Sequence, residues 1–308
     1  MVPKTRTEQM KLLLEAAQCF APIDNFALKG GNAINLFTEN MPRLSFDLDF
    51  AFCDGSLRRE EALFCMRKEL ETVCRILTDR GLTCRLGNRP TDTKCSITKG
   101  QATVTVEVNT IFRGTLLPVL RRTLCQRAQT LSGRVFQVPV LDSDELFAGK
   151  FVATLDRQHP RDLYDVRRFW QRGQMLTKPL LDCFIVYLVA SNRPAHEVLF
   201  GPDRLDERLF YAVTQATLIE SCSWSDLKCV RQKLQKEIVS SLTEDHRRFL
   251  FSMTKAEPCW NLLPFEGLQK MPAVKWKLEN LKKLKESNRL KFEEQAEALE
   301  KGFERFDR

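Results

Sequence analysis

The sequence predicts an α/β (α+β) architecture: a small palm built on a mixed sheet, followed by a helical C-terminal domain. Two observations carry this. Between Phe26 and Val140, short strand-like segments are interleaved with helical ones, which is how a mixed sheet is written in sequence. From Asp142 onward, apolar residues recur almost only at spacings of three and four. The change of pattern sets expected domains of 1–141 and 142–308.

The elements follow in order. Thr5 to Phe20 reads as a helix, with Met10, Leu13, Leu14 and Ala17 on one face. Asp24-Asn25 gives a turn into a short buried strand, Phe26-Ala27-Leu28, which runs straight into Lys29-Gly30-Gly31. Asn32 is placed to cap a helix from Ala33 to about Thr38, and Met41-Pro42 breaks that helix. Asp47 to Phe52 alternates with period 2, so Asp47 and Asp49 share a strand face. A long helix is expected over Leu57 to Arg80. Strands are expected over Thr83–Leu86, Cys95–Thr98, Ala102–Asn109 and Phe136–Val140. Helices are expected near 143–156, 161–172, 179–191, 204–219, 224–241, 243–254 and 274–306. The last of these carries one apolar stripe, Leu278, Leu281, Phe292, Leu299, Phe303 and Phe306. It reads as a solvated helix laid across the bundle, with a partner-binding helix as the sharper alternative.

Composition bounds the function classes. The longest apolar stretch, Cys183 to Ala190, is too short to cross a bilayer, so no membrane partner is expected. No apolar signal core follows Met1-Val-Pro-Lys-Thr-Arg-Thr, and a cytoplasmic protein is expected. The 11 cysteines include no CxxC pair, and Cys65, Cys74 and Cys183 fall in apolar-periodic segments. Reduced thiols are therefore expected, with neither a disulfide framework nor a zinc site. A net charge of +8 suits a nucleotide or nucleic-acid partner without requiring one.

Three carboxylates are arranged for metal chemistry. Asp47 and Asp49 project the same way, with Cβ atoms roughly 7 Å apart. Glu107 interrupts an apolar strand, Thr103-Val-Thr-Val-Glu-Val-Asn109, where an unpaired charge is costly. Hard oxygen ligands of this kind select Mg²⁺ or Mn²⁺, and two such ions stabilise the attacking and leaving oxygens of phosphoryl or nucleotidyl transfer. The Gly30-Gly31 turn, between a strand and a helix, offers backbone N–H groups to a phosphate. The same carboxylates would also serve a two-metal nuclease, and a non-catalytic nucleic-acid- or protein-binding module is a further alternative.

The combination of Leu28-Lys-Gly-Gly-Asn-Ala33 with Arg43-Leu-Ser-Phe-Asp-Leu-Asp49 resembles the AbiEii family, the toxins of type IV abortive-infection systems, and the related MenT-like toxins. Glu145-Leu-Phe-Ala-Gly-Lys150 and Arg157-Gln-His-Pro-Arg-Asp-Leu-Tyr-Asp165 look like that family's downstream pattern, and Leu263-Pro-Phe-Glu-Gly-Leu268 is also family-like. Two features depart from the nucleotidyltransferase superfamily. Its usual Gly-Ser is Gly30-Gly31 here, and the gap from that turn to Asp47 is longer.

The resemblance implies a nucleotidyltransferase palm and transfer of a nucleoside monophosphate from an NTP to an acceptor, tRNA or protein. It implies a toxin paired with a cognate antitoxin. Asp47, Asp49 and Glu107 would hold metal, with Lys29, Gly30, Gly31, Asn32, Arg43 and Ser45 on the nucleotide. Lys150 and Arg161 would hold triphosphate charge, in a cleft closed by the first two C-terminal helices. Asp162 would orient Lys150 or the acceptor.

Overall fold

Leu48, Phe50, Val104, Val106 and Val108 are buried while the polar residues between them are not, so two strands each bury one face and expose the other. The computed structural model describes residues 4–308; Met1 to Pro3, the first three residues of the Met1-Val-Pro-Lys-Thr-Arg-Thr segment, lie outside the described residues. In it the chain divides into two compact units. The first runs to Leu146 and takes back Thr217–Ser221; the second comprises Phe147–Ala216 and Cys222–Arg308.

The first unit holds α1 (Lys4–Cys19), β1 (Phe26–Lys29), α2 (Gly30–Ala33) with a π-helical continuation (Ile34–Thr38), β2 (Asp47–Phe52), α3 (Arg59–Asp79), β3 (Thr83–Leu86), β4 (Lys94–Lys99), β5 (Ala102–Asn109), β6 (Leu120–Thr123), α4 (Gln126–Ser132) and β7 (Gln137–Val140). The strands form one seven-stranded sheet in the order β3-β4-β5-β2-β1-β7-β6. It is mixed: β2 runs parallel to β5 and β1 to β7, and the other pairs are antiparallel. Helices α1 and α3 pack on its apolar face. Helix α3 faces inward through Met66, Leu70, Val73 and Leu77, spacings of four, three and four. Phe20 stacks on Phe50 with centroids 4.4 Å apart, and Phe26 packs on both. The opposite face carries Asp47, Asp49, Thr105 and Glu107.

Several expectations are corrected. The helix after β1 begins at the glycines themselves, and Lys29, not Asn32, occupies the capping position. β6 and α4 were not expected. Leu120-Arg-Arg-Thr123 has no alternation to read, and it is held by pairing with β7 and by Arg121 bonding to Asp24 and to the Ala21 carbonyl. Cys74 and Cys84 are joined by a disulfide, against the expectation of reduced thiols throughout. They lie ten residues apart, and only the reversal from α3 into β3 brings them together.

The second unit is helical, with α5 (Ser143–Arg157) entering it from the first. It continues through α6 (Pro160–Gln171), α7 (Lys178–Val189), α8 (Ala195–Phe200), a single turn α9 (Glu207–Leu209), α10 (Trp224–Leu227), α11 (Val230–Ser241), α12 (Glu244–Thr254), α13 (Pro272–Ser287) and α14 (Arg289–Asp307). Phe147, Phe151 and Phe169 form one aromatic cluster in its core. The expected C-terminal helix is two helices, because Asn288 leaves helical geometry and caps α14 by accepting from the Lys291 N–H. Leu281, Phe292, Leu299 and Phe303 of its apolar stripe are buried within the chain, Phe303 against Phe200 and Phe251. No partner is therefore required to cover that stripe. Among the described residues, no helix is long and apolar enough to cross a membrane.

Candidate active site

A row of four charges crosses the open face of the sheet. Lys29 of β1 is opposite Asp49 of β2, Asp49 is in register with Glu107 of β5, and Glu107 is opposite Lys94 of β4. Strand alternation fixes which residues face outward, and strand order fixes which of them become neighbours. The adjacent row places Asp47 beside Thr105, and Thr105 beside Ser96. The three expected metal carboxylates are thus on one face of two hydrogen-bonded strands. Lys94 bonds the Glu107 carboxylate at 3.3 Å, but both side chains are more than half exposed, so the pair contributes little. Asn109, in the same outward series, instead ends the strand: its Oδ1 accepts from the Ile111 and Phe112 N–H groups.

The glycine turn abuts this row. Gly30 has φ of 71°, and a Cβ built on it would lie 2.7 Å from Asp49 Oδ2. A Cβ on Gly31 would lie 2.7 Å from Arg43 Nη2 and 3.6 Å from Ser45 Oγ. The paired glycines therefore let backbone approach a carboxylate on one side and a guanidinium and a hydroxyl on the other. Burial draws the Lys29 ammonium below its ordinary pKa, against the opposing pull of Asp49, Glu145 and Glu107.

Asn32 acts as a brace. Its side-chain amide donates to the backbone carbonyls of Ser45, at 3.2 Å, and Asp47, at 2.6 Å, tying the turn to the segment that leads into β2. Arg43 is buried, and the residues beside it are held by the returning segment: the Leu44 N–H donates to the Thr217 carbonyl, and the Ile219 N–H to that of Pro42. Sequence reasoning did not single out Glu145, which is buried and accepts from the Leu116 and Leu117 N–H groups at 3.0 Å. By itself an acidic residue in the first turn of α5 reads as an ordinary helix-start preference; its place at the head of the Glu145–Lys150 block is the one signal that marks it.

The second unit carries its own charged cluster. Lys150 of α5 is 6% exposed and bonds Asp162 at 2.8 Å and Asp165 at 2.9 Å, both on α6. Arg157 makes a second contact to Asp162, through Nε at 2.5 Å and Nη2 at 2.9 Å. Burial by itself would raise the Asp162 carboxyl, but Lys150 and Arg157 outweigh it and hold the group below the ordinary carboxylate range. Of the two contacts considered for Asp162, the one to Lys150 is present. Arg161 is half-buried beside His159, whose Nδ1 caps α6 by accepting the Arg161 N–H. Burial, and then Arg161, lower the pKa of that imidazole. Asp165 and Arg157 were read as parts of a motif, without roles of their own.

Asp47, Asp49 and Glu107 offer carboxylate oxygens, the ligand type a hard divalent cation takes, and Asp49 and Glu107 are in register on neighbouring strands. The model of a family described as the nucleotidyl transferase AbiEii toxin, type IV toxin–antitoxin system, matches residues 12–280. Among solved structures, the chain is similar to MenT4, a nucleotidyltransferase toxin from Mycobacterium tuberculosis H37Rv. The TM-score is 0.56 at 18% identity, with 79% of this chain and 84% of that chain covered. A comparison with curated proteins finds no significant match.

Proposed function

The chain belongs to the AbiEii nucleotidyl transferase toxin family of type IV toxin–antitoxin systems, and we propose that it transfers a nucleoside monophosphate from an NTP to an acceptor hydroxyl on tRNA or a protein. One observation carries the reading: Asp49 sits at the same register as Glu107 and against the Gly30 backbone, so the carboxylates lie beside the amides we assign to phosphate.

Asp47, Asp49 and Glu107 would hold Mg²⁺ or Mn²⁺. Such ions neutralise phosphate charge and stabilise attacking and leaving oxygens. The chain's own residues supply the rest. The N–H groups of the Gly30-Gly31 turn are the ones assigned to phosphate oxygens, since no glycine side chain intervenes. Lys29, Arg43 and Ser45 surround that turn with two cations and a hydroxyl, and Asn32 fixes its position by bracing it to β2. Within the second unit, Asp162 orients Lys150, and Lys150 and Arg161 are assigned triphosphate charge. The acceptor oxygen bonds the α-phosphorus while the bond to the β-phosphate oxygen breaks and pyrophosphate leaves. The acceptor's proton passes to solvent at the exposed edge of the cluster, by Asp47 and Glu107. A cognate antitoxin follows from the family, and a cytoplasmic location from a nucleotide substrate.

The test is incubation with each α-³²P-labelled NTP, a divalent cation and total RNA or protein. Label on a macromolecule with stoichiometric pyrophosphate is expected. RNA fragments without label would establish a nuclease instead, and absence of NTP binding would establish a non-catalytic module.

A further inference from the structure

The Cys74–Cys84 disulfide has a third sulfur beside it. Cys74 comes from α3, Cys84 from β3 and Cys95 from β4, and their sulfur atoms all lie within 4.8 Å of one another. The sheet register explains why. Cys84 is opposite Ile97 and Leu86 is opposite Cys95, so the two cysteines are diagonal neighbours on one face of the hairpin. That face is the apolar one on which α3 packs, and α3 lays Cys74 over them. A disulfide uses two sulfurs, and the placement of the third has no part in it. Cys95 is 2% exposed, and Cys74 and Cys84 are half-buried.

We propose that Cys74, Cys84 and Cys95 form a three-thiolate site for a soft divalent cation of the zinc class, with the bound ion and the Cys74–Cys84 disulfide as mutually exclusive states. Two thiolates on one zinc, each about 2.3 Å from it, lie about 3.8 Å apart in tetrahedral geometry, inside the span the three sulfurs already occupy. Opening the disulfide therefore requires only a small outward shift of two side chains. Thiolate donors select soft cations over the Mg²⁺ expected at the carboxylates, so the two sites do not compete for one metal. Three protein ligands leave one coordination position for solvent or an exogenous ligand.

The chemistry balances in two steps. An external dithiol or phosphine reductant gives two electrons, and with two protons the Cys74–Cys84 bond becomes two thiols. One divalent cation then displaces three protons from three thiols. A two-electron oxidant of the disulfide or peroxide class takes the electrons of the Cys74 and Cys84 thiolates, their S–S bond re-forms, and the ion, left with one thiolate, is released.

The full chain, reduced with a phosphine and freed of oxidant, is titrated with Zn²⁺ against a chromophoric chelator, with Co²⁺ as a spectroscopic probe. The reduced protein is expected to bind one equivalent more than the oxidised one, and the additional ion alone gives thiolate-to-cobalt charge-transfer absorption. Bound zinc is expected to protect three thiols from alkylation. Cys95→Ser should weaken binding by at least about tenfold, the lower bound for losing even an outer-shell partner, while its Cys74–Cys84 disulfide still forms. Asp49→Asn should bind Zn²⁺ at this site unchanged, and Cys259→Ser, at an exposed cysteine, serves as a second control. If Cys95→Ser fails to fold, Cys74→Ser gives the same reading. Equal zinc binding by wild type and by both thiol variants, or no difference between reduced and oxidised protein, overturns the proposal and leaves a disulfide with a bystander thiol.

Discussion

Asp49 and Glu107 are register partners on parallel neighbouring strands, two carboxylates side by side, with Lys29 beyond one and Lys94 beyond the other. Adjacent strand backbones lie about 4.8 Å apart, so like charges at this spacing oppose each other unless a cation stands between them. The two lysines offset part of that repulsion, and a cation between the carboxylates would offset more.

Asp49→Asn is expected to lower transfer by at least about a hundredfold, at or beyond the upper range for losing an outer-shell metal partner. The cross-strand repulsion it removes is worth about 0.2–1 kcal/mol, so the melting temperature without divalent cation should hold or rise. Differential scanning fluorimetry with and without Mg²⁺, beside the transfer assay, checks both. A variant that stays active without metal would sink the carboxylate assignment.

Glu107→Gln is the sharper test of the third ligand. Glu107 and Lys94 are 55% and 64% exposed, so their ion pair is worth less than about 1 kcal/mol and the melting point should barely move. Transfer should nonetheless be lost. Full activity in Glu107→Gln would show that a different group completes the site.

Gly30→Ala is expected to harm activity more than stability. Alanine at a positive φ costs about 1–2 kcal/mol, a tolerable loss for a chain of this size. The new Cβ, however, would meet Asp49 Oδ2 at 2.7 Å, and the carboxylate is the movable partner. Comparing kcat/KM with chemical-denaturation midpoints decides it; parallel losses would make Gly30 a purely conformational requirement.

Asn32→Asp should be worse than Asn32→Ala. Alanine removes two donated hydrogen bonds and leaves the Ser45 and Asp47 carbonyls unmet, at about 1–3 kcal/mol. Aspartate adds carboxylate oxygens facing those same carbonyl oxygens in a buried place. Equal unfolding midpoints for the two variants would remove Asn32 from the bracing role.

The Lys150 cluster predicts an acid-dependent stability. Asp162 has a depressed folded pKa, so its contribution is full above the unfolded value of about 3.9 and is lost as pH falls through the folded one. Asp162→Asn should cost about 3–5 kcal/mol at pH 7, as for breaking one side of a buried pair. The gap to wild type should narrow below about pH 4. Lys150→Ala leaves two buried carboxylates facing each other, so it should lower the melting point beyond any loss of NTP binding. Urea titrations at the two pH values check the first prediction; a pH-independent difference would contradict it.

The faces were legible from local pattern. Period-2 alternation put Asp47 and Asp49 on one side of β2 and Glu107 on the outward side of β5, and the Lys29-Gly30-Gly31 unit was legible as a turn between strand and helix. Those are local properties, set by backbone geometry within a few residues. Which faces meet depends on long-range strand pairing. That β2 lies between β1 and β5, in the register joining Asp49 to Glu107, follows from crossover connections and core packing across nearly sixty residues. The same holds for Asn32, which looked like a helix cap and became a brace because the 43–47 segment folds over it. It holds for the return of Thr217–Ser221 to the first unit, which no composition shift marks. It holds most plainly for Cys74, Cys84 and Cys95, whose spacing resembles no ligand motif. A motif is readable when one turn or strand places its residues; these three are placed by a helix packing on a hairpin, and that packing has no short-range signature.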